Sequence, residues 1–87
     1  MQINRIAFLV SGNGGSLKVV VQAIEQLGLP WQICAVLADR DCGALHFARQ
    51  RRLACAIAPY SRQAPEALRA ALLQSQPDLI VTTIHKI

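Results

Sequence analysis

Four apolar runs, separated by three segments of helical period, organise this chain. Residues 5–11 (RIAFLVS) are almost continuously apolar, the pattern of a parallel strand covered on both faces. Glycine ends the run. Over 16–27, Leu17, Val20, Val21, Ile24 and Leu27 recur on one helical stripe while Lys18, Gln22, Glu25 and Gln26 fall elsewhere, and Gly28 and Pro30 stop the helix. Residues 31–38 (WQICAVLA) read as a second apolar strand, and the polar stretch 39–42 leads into a short helix over about 43–51. Ala44, Leu45, Phe47 and Ala48 are expected to face the sheet. Residues 53–58 (LACAIA) form a weaker third strand closed by Pro59. Ser61 suits the cap of a third helix and Pro65 its first turn, with Leu68, Ala71 and Leu72 on the buried side until Pro77. Residues 78–83 (DLIVTT) are the fourth strand, and 84–87 begin a loop.

Strict alternation of strand and helix with short connections implies parallel strands joined by right-handed crossovers. The predicted class is α/β and Rossmann-like: a parallel four-stranded sheet of order 3-2-1-4 with helices on both faces. With no internal repeat or linker, residues 1–87 are expected to share one core as a single domain. A sheet of this kind normally continues past its fourth strand, so the chain reads as truncated there. Leu79, Ile80 and Val81 then lie on an open edge, which predicts pairing with another copy of the chain, most simply as a homodimer.

Composition narrows the class. Hydrophobic residues make up 53% of the chain and charged residues 16%, which suits a globular core and excludes a disordered or fibrous chain. Three cysteines without a C-x-x-C pair argue against a disulfide framework and for reduced thiols in a cytoplasmic protein. The run after Arg5 is too short for a signal sequence or a membrane span. The net charge of +4 is scattered except at Arg49, Arg51 and Arg52, near a predicted helix end. Those arginines fit either a solvated helix terminus, where cations meet the negative end of the dipole, or anion recognition. No aromatic residues interleave with them, so nucleic acid is not the expected partner.

The most informative stretch is Ser11-Gly12-Asn13-Gly14-Gly15-Ser16, between the first strand and the first helix. Backbone N–H groups of such a loop, together with a helix N-terminus, hold an anion, and glycines let a phosphate approach closely. Gly12, Asn13, Gly14, Gly15 and Ser16 are therefore the candidate phosphate-binding residues, with Ser16 also fit to be the helix cap. A tight turn without a ligand is the alternative. Leu17 stands where a dinucleotide fingerprint needs glycine, and a P-loop ending is absent. Asp39, which in a nicotinamide-binding domain would hold a ribose hydroxyl, reads instead as a strand-end turn former. Neither His46 nor His85 has metal-ligand spacing to other residues, and no metal site is expected.

Taken together, Ser-Gly-Asn-Gly at 11–14, the helix start GALHFARQ at 43–50, Ser61-Arg62, and Pro77-Asp78 before an apolar strand and a basic loop resemble the folate-dependent formyltransferases of the glycinamide ribonucleotide type. The likeness covers the whole chain but only about the first half of a family member. It implies that the loop at Gly14, Gly15 and Ser16 binds the substrate phosphate, although the family usually has serine and asparagine where this chain has Gly15 and Ser16. By the same resemblance, Arg62 lies near the carboxylate tail of the folate donor, a role suited to a bidentate guanidinium, with a solvated helix turn as the alternative. The segment His85, Lys86 and Ile87 matches the loop lining the folate site, where the family commonly has methionine and arginine at the first two positions.

The resemblance implies a one-carbon transferase of purine biosynthesis, with 10-formyltetrahydrofolate as co-substrate and a phosphorylated small molecule as acceptor. The family's catalytic asparagine, histidine and aspartate fall beyond Ile87, so no catalytic residue is expected here and the chain alone is expected to be inactive. A formyltransferase for another amine acceptor, or a non-catalytic module for phosphate binding or assembly, are the alternatives.

Overall fold

The computed structural model describes residues 4–58 and 66–82. Seven elements alternate: β1 (Arg5–Val10), α1 (Gly15–Leu27), β2 (Gln32–Ala38), α2 (Gly43–Gln50), β3 (Cys55–Ile57), α3 (Glu66–Ser75) and β4 (Leu79–Thr82). They build one four-stranded sheet of order β3-β2-β1-β4 in which every pairing is parallel. This is the predicted α/β Rossmann-like fold.

Two apolar layers hold the sheet. On one face, Ile6, Phe8 and Val10 of β1 pack with Leu17 and Val21 of α1 and with Ala44, Leu45 and Ala48 of α2. On the other, Ala7, Leu9, Ala35 and Leu37 pack with Leu68 of α3, with Ala71 and Leu72 partly buried beside it. Alternate residues of β1 serve opposite layers, which is why its sequence is apolar from Ile6 to Val10. An irregularity in the β1–β2 register makes Cys34 an extra residue of β2, so that Ile33 still opposes Ile6 and Ala35 opposes Ala7.

Three expectations need adjustment. Leu27, expected on the buried stripe of α1, is 71% exposed because the helix runs past the edge of its layer into the Gly28 turn. Trp31 precedes β2 instead of opening it. The helix over 16–27 begins one residue earlier, at Gly15, with Gly14 as its N-cap, so Ser16 lies inside the first turn and is not the cap. The expected roles of Ser61 and Pro65 fall outside the described residues.

The starts of β1 and β4 are tied by one carboxylate. Asp78 Oδ2 accepts the backbone N–H groups of Asn4 and Arg5, each at 2.9 Å, and the Asp78 N–H donates to the Arg5 carbonyl at 2.8 Å. Arg5 in return donates from Nε to the Gln76 carbonyl at 3.0 Å and from Nη2 to that of Ser75 at 2.7 Å. The two backbone donors hold the Asp78 carboxyl below its ordinary range.

Candidate functional site

In an open parallel sheet, ligands bind beyond the C-terminal ends of the strands, where the strand order reverses. Here the chain winds outward from β1 through β2 to β3 and then crosses back to β4, so the reversal lies between β1 and β4. The glycine loop leaves β1 at that point.

Its shape follows from two left-handed glycines. Gly12 has φ 70° and Gly14 φ 74°, values that side chains beyond Cα disfavour. Gly14 is buried, whereas Ser11, Gly12, Asn13, Gly15 and Ser16 are exposed. The loop leans on the start of α2: the Ala44 N–H donates to the Gly12 carbonyl at 3.0 Å. A Cβ on Gly14 would stand 2.6 Å from Cβ and 2.9 Å from Cα of Ala44, and one on Gly43 would stand 3.0 Å from Asn13 Oδ1. Gly14 is therefore needed for close packing of loop on helix, a role the sequence does not show. Gly15, whose added Cβ would meet nothing within 4 Å, is the glycine that faces open space.

The helix end is chemically bare. No side chain caps α1, its first turn holds no acidic residue, and the first backbone bond of the helix runs from the Lys18 N–H to the Gly14 carbonyl at 3.0 Å. The N–H groups of Gly15, Ser16 and Leu17 precede that bond and have no acceptor within the helix. Exposed donors, the positive end of a 13-residue helix and the Ser16 hydroxyl thus meet at one place. This arrangement can take up an anion and has no group able to transfer a proton. Lys18 does not add to it, since its ammonium lies 5.8 Å from the Phe47 ring centroid, over α2.

Nearby acids are engaged or orphaned. Asp39, just beyond β2, meets Arg40 Nη2 at 3.3 Å through Oδ2, while its buried Oδ1 has no hydrogen-bond partner. It is a strand-end residue with an unfilled acceptor. Asp41 accepts from Arg49 at 3.2 Å, with His46 at 3.5 Å, and the Arg49 hydrogen bond holds its carboxyl below the ordinary range. These three side chains are exposed, and such pairs contribute little.

Of the sequence-predicted site residues, the structure brings Gly12, Asn13, Gly14, Gly15 and Ser16 together in this one loop. Arg62, His85, Lys86 and Ile87, assigned to folate by resemblance, lie outside the described residues. Among the described residues, no group of His, Cys, Asp and Glu is placed to hold a metal ion, and no helix is long and apolar enough to cross a membrane. Gly43 and Ala44, which the sequence shows only as a helix start, brace the loop. Two small residues in succession at that start are the one signal that a backbone packs there.

Solved structures of similar shape are numerous. Phosphoribosylglycinamide formyltransferase from Coxiella burnetii matches with a TM-score of 0.80 and 32% identity, over 93% of this chain and 41% of its own. The Brucella melitensis phosphoribosylglycinamide formyltransferase matches with a TM-score of 0.81 and 29% identity, over 93% of this chain and 45% of its own. A formyltetrahydrofolate deformylase from Pseudomonas putida has the same fold at 11% identity, with a TM-score of 0.81 over 99% of this chain and 32% of its own. No family model matches the chain, and no curated protein does. This chain spans less than half the length of those three solved proteins. The chain has the folate-dependent formyltransferase fold, in the form of that family's N-terminal sheet, and the resemblance read from its loop and helix starts holds.

Proposed function

We propose that this chain is the phosphate-binding part of a formyltransferase that moves a formyl group from 10-formyltetrahydrofolate to an amine of a phosphorylated substrate such as glycinamide ribonucleotide. The observation that carries the reading is the helix end at Gly15 and Ser16: uncapped, exposed, with no acidic residue in its first turn and set where the strand order reverses. Its backbone donors suit the phosphate, and glycinamide ribonucleotide is the acceptor class of solved proteins with this fold.

Formyl transfer requires attack of an amine on the formyl carbon, a base to take the amine proton and donors to stabilise the tetrahedral oxyanion. The glycine loop supplies none of these; it binds and orients. The role of this chain is positional, and by itself it performs no turnover.

Two measurements test this. Titration of the isotopically labelled chain with inorganic phosphate and with glycinamide ribonucleotide is expected to shift the amides of residues 13–16 saturably. An assay with 10-formyltetrahydrofolate and glycinamide ribonucleotide is expected to show no product from this polypeptide alone. Unmoved amides would reduce the loop to a turn, and turnover by the isolated chain would place the chemistry within these residues.

A further inference from the structure

At the opposite ends of the strands, away from the glycine loop, a cavity of ≈ 630 Å³ opens between the later turns of α1, the end of α2 and the first residues of β1 and β2. That volume falls within the range of small-molecule sites, roughly 300–1,000 Å³. Its inner wall is apolar, with buried Val21 and Ile33 beside Ile24. Trp31, 40% exposed, stands at its rim with Arg5, Arg51 and Arg52.

The arginines at this rim are not equivalent. Arg51 pairs with Glu25 across the mouth and is neutralised there. Arg5 is committed to the carbonyls of Ser75 and Gln76. Arg52 makes no side-chain hydrogen bond or ion pair with any described residue, so its charge is available to the cavity.

The backbone adds a second observation. Helix α2 ends with the Leu53 N–H on the Ala48 carbonyl at 2.9 Å and the Arg52 N–H on that of Arg49 at 3.1 Å, and Arg52 takes the left-handed position with φ 58°. Helix α1 ends in a similar way with glycine there, Gly28 at φ 63°. An arginine at this position is disfavoured relative to glycine, because its Cβ crowds the left-handed backbone. Gln76 takes the same conformation at the end of α3, with φ 53°, so the backbone alone does not mark a site; at Arg52 it places a cation without a side-chain partner among the described residues on the lining of the cavity.

We infer that this cavity binds a small aromatic anion, its ring against Trp31 and the Ile33 wall and its carboxylate or phosphate on Arg52. A guanidinium recognises either anion by paired hydrogen bonds, and the indole supplies a flat apolar surface for the ring. The site is independent of the glycine loop.

Trp31 is the single tryptophan of the chain, so its indole N–H gives one resonance that reports on this cavity alone. Titration of the full chain with 1-naphthoate is expected to shift that resonance saturably, and the neutral alcohol 1-naphthylmethanol is expected to bind more weakly. Inorganic phosphate is expected to move the glycine-loop amides and leave the indole in place. Arg52→Gly is expected to hold or raise the denaturation midpoint, since it removes strain, while weakening 1-naphthoate about tenfold through loss of a charge-assisted contact. Arg52→Asn, which also accepts the left-handed conformation, is the second variant and is expected to lose affinity likewise. A naphthoate titration without saturable indole shifts into the millimolar range would overturn the inference, as would equal affinity for the neutral alcohol, or full affinity in both arginine variants.

Discussion

The Cα of Gly14 faces Ala44 so closely that a methyl group there would lie 2.6 Å from the Ala44 methyl, locking the glycine loop to the start of α2. Gly14 is also left-handed, with φ 74°. Gly14→Ala therefore meets a clash and a disfavoured backbone together, and is expected to cost about 1–3 kcal/mol in urea denaturation. Gly15→Ala meets neither and is expected to raise stability by up to about 1 kcal/mol, because it reduces the freedom of the unfolded chain. Equal effects at the two positions would show that the loop does not rest on α2 as described.

Gly15 also separates binding from folding. Gly15→Asp places a carboxylate at the first turn of α1, where the dipole favours it by about 0.3–1 kcal/mol. The same charge repels a phosphate held by the neighbouring N–H groups. The expected outcome is a variant at least as stable as the parent whose affinity for inorganic phosphate, followed by amide shifts at low salt, falls about tenfold or more. Unchanged phosphate affinity would move the anion site away from this helix end.

Much of this was legible in the sequence, and the parts that were not have a common cause. The apolar runs placed all four strands, because a residue such as Phe8 or Leu9 has no alternative to burial in one of two layers, and the strict alternation of strand and helix gave their order. The glycine loop was legible as a loop. Which glycine faces open space and which faces the protein was not, since that depends on Ala44, 30 residues away from Gly14 and hidden until α2 docks. Arg52 was legible only as one of three arginines near a helix end. Its separation from Arg49 and Arg51 rests on the partners the fold gives those two, Asp41 and Glu25.

Asp78 links acidity to stability. Its folded carboxyl sits below the ordinary value of 3.8 because Asn4 and Arg5 donate backbone N–H bonds to the charged form. A depressed carboxyl contributes stability above its unfolded value and loses it as pH falls through the folded value. Asp78→Asn keeps an oxygen acceptor but removes the charge, so the parent is expected to be more stable than the variant at pH 7, the gap closing below about pH 3.8. Asp41 titrates in the same direction in both proteins and cancels from the difference. A gap that stays constant through the acid range would remove the role given to this charge.

The remaining prediction concerns β4, which is paired with β1 on one side and lies at the edge of the described sheet. Leu79 is 40% exposed and Ile80 46%, although neighbouring β1 is buried over most of its length. Alternate residues of a strand face opposite sides, so β4 exposes Leu79 on one side and Ile80 on the other, Val81 alone being half-buried in the layer under α1 and α2, while α3 packs over β2. A bare apolar edge is a template for a further strand. We propose that a second copy of the chain supplies it, the two β4 strands meeting antiparallel about a twofold axis, as an isologous contact requires. Val81 is a poor place to probe this, because it packs against the layer under α1 and α2 and a charge there threatens the fold. Ile80→Lys leaves that layer intact and sets two ammonium groups near each other across the axis. Light scattering is expected to show a dimer for the parent at micromolar concentration and a dissociation constant raised at least about tenfold for Ile80→Lys, with matching circular dichroism. A parent chain that stays monomeric at high micromolar concentration would end the proposal, and so would a dimer that the folded Ile80→Lys variant forms equally well.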